Sequence, residues 1–275
     1  MENKNIFMLH YKDAMENPTL EFADSILNKI TNSTVVYDGV CSIGGGSTID
    51  TMKYVAWKLG LPHHAIPTTA GSGSEVTKYA VFMVNNKKKT IEVPLPTSYE
   101  LRPELVVSCP APVTMAAGLD ALAHAIESTW SPKATEESKV YAKKAIEGIT
   151  DCLWDSYNNP SNQRLRACML ESANNAGKAI NITKTSISHA LSYSLTAKRG
   201  TPHGVATAST LLVFMKLFNT DIAIQQRVNQ LLSRFGIMQP VFTAEDIKEA
   251  KESERFYNTP FEVTDELLEK VLGKQ

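Results

Sequence analysis

A chain of 275 residues that is 43% apolar and 21% charged can bury a substantial core as one or two globular domains. A net charge of −1, without a long run of one sign, excludes the electrostatic footprint of a nucleic-acid groove or a basic membrane-binding patch. The opening stretch MENKNIFMLH has no signal-type apolar core and no apolar segment reaches bilayer length, so a cytoplasmic protein is expected.

Residues 1–34 carry the weakest signal. Within them, residues 18–30 (PTLEFADSILNKI) show helical apolar spacing, with Pro18 suited to a first turn. Residues 35–43 (VVYDGVCSI) predict a buried strand broken near Asp38-Gly39. It runs into GGGSTID at 44–50 and then a helix closed by Gly60. Residues 63–67 (HHAIP) predict the next strand, which enters the hydroxyl-rich loop TTAGSGSE at 68–75. Residues 79–84 and 90–93 predict a hairpin, with Asn85-Asn86 and the lysines at 87–89 as a solvated turn. Residues 104–108 (ELVVS) predict one more strand.

The run Cys109-Pro110-Ala111-Pro112 then divides the pattern. Helices are expected at 113–130, 135–158, 162–181, 184–198, 203–218 and 221–235, with weaker ones at 243–252 and 264–272. Thr243 and Asp246 resemble a capping box. An α/β domain at 1–110 followed by an all-α domain at 111–275 is the expected organisation. Cys41, Cys109, Cys152 and Cys168 form no C-x-x-C pair, so four reduced thiols are expected, without a disulfide framework or thiolate zinc site.

Two groups of residues carry chemistry. The first is the pair of Gly/Ser/Thr loops. Each follows a predicted strand, and ligands of open α/β sheets bind in the crevice beyond strand ends. Backbone N–H groups of Gly44, Gly45, Gly46 and Ser47, at a helix start, suit a diphosphate, as do the hydroxyls of Thr68, Thr69 and Ser72. GGGSTID, which also contains Asp50, does not match the G-x-G-x-x-G fingerprint. The second group is Asp120, His124, His189 and His203. Asp120 and His124 share a helical face at i, i+4, and the set of carboxylate and imidazoles suits Fe(II), Zn(II), Ni(II) or Mn(II). His63 and His64 sit on the strand, where a structural role is expected, and His10 has no assigned role.

Together GGGSTID, PTTAGSGSE, AGLDALAHAIES and HALSYSLTAKRGTPHG resemble the iron-dependent (group III) alcohol dehydrogenases, in the right order over residues 42–208. The resemblance implies an N-terminal Rossmann-like domain binding NAD or NADP, here shortened, and a C-terminal all-α domain holding Fe(II) or Zn(II). It implies metal ligation by Asp120, His124, His189 and His203, and cofactor contact by both loops. Asp50 falls within the first of these loop motifs. Lys89, ten residues after Tyr79, falls at the spacing of the family's cofactor lysine. Tyr193 stands where many members carry a further histidine, and there it could line the pocket or pass a proton.

The activity implied is interconversion of a small-molecule primary alcohol and an aldehyde, by a homodimer without nucleic-acid or membrane partners. The wording HALSYSLT and ESTWSPKATEES looks most like the branch that reduces phosphonoacetaldehyde, with Lys198 and Arg199 as candidate anion contacts. Polyol dehydrogenases and dehydroquinate synthase resemble this architecture and stay open as alternatives. So does a truncated, non-catalytic relic, because the family's usual first βαβ unit has no evident counterpart in residues 1–34.

Overall fold

The glycine turn at residues 44–46 stands at the carboxyl end of a parallel sheet, where it opens into a cleft shared with a helical bundle. The computed structural model describes residues 4–85 and 87–273. In chain order, β1 (Ile6–His10), α1 (Leu20–Thr31), β2 (Gly39–Gly44), α2 (Gly46–Leu59) and β3 (His63–Pro67) lead to a hairpin of β4 (Tyr79–Val84) and β5 (Lys87–Glu92). β6 (Ser98–Tyr99) and a short helix, α3 (Pro103–Val106), follow. The sheet order is β1-β2-β3-β6, all parallel, and the β4–β5 hairpin forms a separate antiparallel sheet. Parallel neighbours need a crossover, which α1 provides between β1 and β2 and α2 between β2 and β3.

The helical part comprises α4 (Ala111–Trp130), α5 (Glu136–Asn158), α6 (Gln163–Thr183), α7 (Ile187–Arg199), α8 (His203–Ala208), α9 (Leu211–Leu217), α10 (Ile222–Arg234), α11 (Ala244–Lys251) and α12 (Asp265–Leu272). The largest core lies here and includes Leu119, Leu122, Ile126, Ile149, Leu153, Leu170, Leu191 and Phe214. A smaller core of Leu9, Ile26, Ile30, Val40, Met52 and Val55 joins the sheet to α1 and α2. Arg166 is buried in α6 and fastens the corner before α4, donating to Cys109 O at 2.9 Å, Pro160 O at 2.9 Å and Thr114 Oγ1 at 2.5 Å. Among the described residues no helix is long and apolar enough to cross a membrane.

Several expectations are corrected. Residues 6–10, given no element, form β1. Ile6 and Met8 are 45% and 55% exposed on this edge strand, which blurs its pattern. The strand expected over 35–43 begins only at Gly39, and Val36 is exposed. Residues 104–108 are not a strand. Pro103 starts α3, as proline at a first helical position does, and Val106 is buried from a helical turn. The strand that pairs with β3 on that side is β6, too short to read. The helix expected over 203–218 divides near Ser209 and Thr210. There the hydroxyls of Thr207 and Ser209 bond back to Gly204 O and Ala206 O and compete with the helical ladder. The capping box is present, with Thr243 Oγ1 accepting from Asp246 N and Asp246 Oδ2 accepting from Thr243 N. Asn86, in the expected hairpin turn, lies outside the described residues.

The cysteines also depart from expectation. Cys152 and Cys168 form a disulfide between α5 and α6, whose packing brings the two Cα atoms to 6.4 Å. Cys41 and Cys109 are free and buried. Thiols 16 residues apart carry no pairing signal in sequence; the helical hairpin creates it.

His63 has the structural role expected of it. Its Nε2 lies 2.8 Å from Ser42 Oγ, and His64 Nδ1 lies 2.8 Å from Ser98 Oγ. Burial first, then the charges of Lys53 and His64, push the His63 pKa down to about 3. The imidazole is therefore neutral when folded, while in the unfolded chain it takes up a proton as pH falls below its ordinary value. Stability from this residue is complete above that value and is lost as pH falls toward the folded value, by at most about 1.4 kcal/mol per pH unit. Urea titrations of His63→Gln should show a shallower acid slope than the wild type. Equal slopes would remove His63 as its source.

Candidate metal centre and cleft

Helix α4 supplies one wall. Asp120, His124 and Glu127 follow one another at i, i+4 and i+7 on one of its faces, set among alanines that let neighbouring helices approach. Helix α7 brings His189, and the start of α8 brings His203. Gly204 makes that second approach possible. A Cβ there would lie 1.7 Å from Ala116 O of α4, so only glycine lets α8 rest on the backbone beside Asp120.

The side chains converge on one atom. Asp120 Oδ1 is 3.4 Å from His189 Nε2, 3.8 Å from His203 Nε2 and 3.8 Å from His124 Nε2. The donor atoms of Asp120, His189 and His203 all lie within 4.8 Å of one another. His124 stands at the margin of that set, its ring stacked on His189 with centroids 4.8 Å apart. Bonds of about 2.0–2.2 Å to a common ion put neighbouring donor atoms about 3–3.5 Å apart, close to this spacing. Asp120 Oδ1 and His189 Nε2 are buried and have no protein hydrogen bond, which is costly unless a further partner satisfies them. The residues present therefore fit a divalent cation.

Glu127 is the functional residue the sequence reading missed. It is fully buried, and its Oε2 lies 2.6 Å from His189 Nδ1. It also accepts from Ser186 N at 2.7 Å and His189 N at 3.1 Å, so it caps the start of α7. A carboxylate at Nδ1 keeps a proton on that nitrogen, so Nε2, which faces Asp120, is the atom that can give up its proton to a cation. The signal was available: Glu127 is the one charged residue that follows Asp120 in the motif at helical spacing.

Electrostatics agree with that arrangement. Burial alone would raise the Asp120 pKa, but the surrounding imidazoles outweigh it and hold the carboxyl well below its usual range. Burial foremost pushes His124 down to about 4 and His203 down to about 3. Burial also opposes a charge on His189, but Glu127 and Asp120 outweigh it and raise the pKa to about 9. A cation bound among these groups would displace the His189 proton.

The cluster lines a cleft of about 470 Å³. Gly46, Ser47 and Ser72 line it from the two glycine loops, Tyr79 and Thr90 from the hairpin, and Tyr193 from α7. Gly44, Gly45, Thr68 and Thr69 are not among the residues that line it; Thr68 N donates to Gly44 O at 2.9 Å and so joins the two loops. Gly46 carries the close approach between the loops, since a Cβ there would lie 2.7 Å from Ser72 Oγ. Asp50 reaches the cleft, but its carboxylate is already bonded to Lys53 Nζ at 3.0 Å, to Val81 N at 3.0 Å and to Ser74 Oγ. It ties α2 to the hairpin.

Lys89 points away from the cleft. Tyr79 pairs with Glu92, and strand alternation puts Thr90 and Lys88 on that same face. Lys89 shares its face with Ile91, which packs against Ala23, Ala80 and Phe82. Lys88 is the hairpin lysine that lines the cleft. Lys198 and Arg199 are also elsewhere. Lys198 is 2.8 Å from Glu249 and Arg199 is 2.8 Å from Asp246, so both hold α11. Tyr193 stacks on His203 with centroids 6.3 Å apart, and its hydroxyl accepts from Arg255 Nη1.

A parallel sheet that opens through glycine loops onto a helical Asp/His cluster defines a recognisable class, and comparison with known proteins names it. The family pattern described as iron-containing alcohol dehydrogenase matches residues 1–110, and the C-terminal pattern of the Fe-containing alcohol dehydrogenase family matches residues 114–259. The chain belongs to the iron-containing alcohol dehydrogenase family.

It is 33% identical over 195 residues to 1-propanol dehydrogenase PduQ of Salmonella typhimurium, a match covering 66% of this chain and 52% of that protein. It is 31% identical over 224 residues to long-chain-alcohol dehydrogenase 1 of Geobacillus thermodenitrificans, covering 73% of this chain and 56% of that one. The chain thus spans little more than half the length of these relatives. Among solved structures, sulfoacetaldehyde reductase from Bifidobacterium kashiwanohense in complex with NAD+ superposes with a TM-score of 0.89 at 26% identity. That match covers 99% of this chain and 92% of the other. The iron-containing alcohol dehydrogenase of Thermotoga maritima gives 0.87 at 25% identity, covering 98% and 90%.

Proposed function

We propose that this protein is a metal-dependent, NAD(P)-linked oxidoreductase that interconverts a primary alcohol and an aldehyde. The observation that carries the reading is the convergence of three imidazole Nε2 atoms on Asp120 Oδ1 in a cleft lined by both glycine loops. Asp120, His189 and His203 would hold Fe(II) or Zn(II), with His124 alongside. When bound, such an ion would supply the positive charge that polarises a carbonyl oxygen for hydride transfer.

The chain's own residues do the rest. The start of α2 offers Gly46 and Ser47 to the cofactor diphosphate, with Ser72 across from them, and Gly44, Gly45, Thr68 and Thr69 support the two loops. The lysine contact expected of Lys89 falls to Lys88. Tyr193 accepts from Arg255, which leaves its own hydroxyl proton free to be given to the substrate oxygen. In this reading residues 1–110 are the nucleotide-binding domain and 111–275 the metal-binding domain of a cytoplasmic homodimer. Phosphonoacetaldehyde is the substrate favoured by the sequence wording around residues 127–138 and 189–196.

The test is nicotinamide oxidation by protein loaded with Fe(II) or Zn(II), with NADH and NADPH and a panel of aldehydes. Turnover should follow metal content and disappear on chelation. Full turnover by metal-stripped protein would sink the assignment, as would none by a protein holding both metal and cofactor.

A further inference from the structure

Arg255 lies in the 3-10 turn Glu254–Tyr257, between α11 and α12, and lines the cleft. No motif points to it. Its Nη1 donates to Tyr193 Oη and its Nη2 to Thr90 Oγ1 at 3.0 Å, with Cζ 5.5 Å from the Tyr193 ring centroid. A guanidinium has five N–H donors. These two bonds leave Nε–H and one hydrogen on each terminal nitrogen without a protein acceptor among the described residues. No carboxylate of the described residues lies within ion-pair distance either. Lys184, on the same cleft, contrasts with it: 3.1 Å from Glu254 and 3.8 Å from Glu92, it is already paired.

Arg255 is therefore held in place by two neutral hydroxyls and is not neutralised by them. Its location is specific. The guanidinium meets the hydroxyl end of Tyr193, whose ring is stacked on His203 with centroids 6.3 Å apart and an interplanar angle of 7°. Tyr193 thus links the cation to the metal-ligand cluster. A planar fork with open donors suits a bidentate oxyanion.

We infer that Arg255 recognises an anionic group (a phosphonate, sulfonate or carboxylate) at the far end of a short aldehyde or alcohol whose reacting end faces Asp120 and the histidines. The inference rests on the alcohol–aldehyde reading above and adds the substrate class and the residue that selects it. Lys88 remains for the cofactor, whose phosphates are the other source of anionic oxygen in this cleft.

The experiment compares kcat/KM of metal-loaded protein for phosphonoacetaldehyde, sulfoacetaldehyde and succinic semialdehyde with that for propanal and butanal. The wild type should favour at least one anionic aldehyde by about 10-fold or more. Arg255→Gln should cut that preference by about 10–100-fold, the range of a lost charge-assisted bond, chiefly through KM, and Arg255→Lys should restore part of it. An arginine that only props Tyr193 would move both classes together, and an unchanged ratio in Arg255→Gln overturns the inference. Equal turnover of neutral and anionic aldehydes by the wild type overturns it too, while leaving the dehydrogenase reading intact. Turnover of no aldehyde at all by the loaded protein overturns both.

A second measurement needs no variant. Ethylphosphonate should inhibit the wild type in competition with the aldehyde. Competition with NADH or NADPH instead would assign Arg255 to the cofactor phosphates and overturn the inference.

Discussion

Asp120→Ala is expected to abolish tight metal binding and nicotinamide turnover together while leaving the helical fold standing. Asp120 Oδ1 is the atom on which His124, His189 and His203 converge, and it is buried without a hydrogen bond. Removing it takes away the only carboxylate within the set of grouped donors. The remaining imidazoles are neutral groups that bind a divalent ion without offsetting its charge. The loss of affinity should therefore exceed the 10–100-fold typical of changes to outer partners of a metal site. Asp120→Asn separates the two contributions, since it keeps an oxygen of the same reach and loses the charge. Metal content by elemental analysis, read beside far-UV circular dichroism, checks the prediction. A folded Asp120→Ala protein with wild-type metal content would show that the ion binds elsewhere.

Glu127→Gln should lower metal affinity by about 10–100-fold although Glu127 is not itself one of the grouped donors. The carboxylate accepts from His189 Nδ1, His189 N and Ser186 N. A glutamine has one acceptor oxygen: placed where Oε2 stands it keeps Ser186 N and Nδ1–H but turns its NH₂ against His189 N–H, and placed where Oε1 stands it turns its NH₂ against Ser186 N–H and Nδ1. In either placement the charge at Nδ1 is lost, so the ring is a poorer donor through the Nε2 atom that faces Asp120. Stability should fall as well, by about 1–3 kcal/mol, because a buried bond to a charged group is weakened. The decisive reading is the nitrogen chemical shift of the His189 ring. Shifted ring nitrogens with weak metal binding support the orienting role. Reduced thermal stability with the ring nitrogens and metal affinity unchanged would reduce Glu127 to a helix cap.

Much of the site was legible because its chemistry lies in short contiguous motifs. Asp120 and His124 announce themselves by spacing, and His203 by its place at a helix start. The helices from α4 onward were readable for a similar reason: their apolar periodicity spans several turns. Where the reading failed, the deciding information was pairwise and distant. Distance along the chain from Tyr79 points to Lys89, but the Tyr79–Glu92 register sets the parity and turns Lys88 inward. Lys198 and Arg199 were candidate anion contacts until α11 brought Asp246 and Glu249 to meet them. Arg255 was invisible because its partners Thr90 and Tyr193 are 165 and 62 residues away. The Cys152–Cys168 pair likewise exists only through the packing of α5 on α6.

The hairpin has one more consequence. Among the described residues β5 bonds only to β4, so its outer edge presents unpaired amides and carbonyls, the usual template for one chain to add itself to another. That edge is rich in lysine, and charge repels a like strand before hydrogen bonds can form. Alternation divides the labour: Lys88 turns toward the ligand while Lys89, exposed on the opposite face, guards against self-association. A lysine-to-threonine exchange at position 89 would spare the cleft and tax solubility.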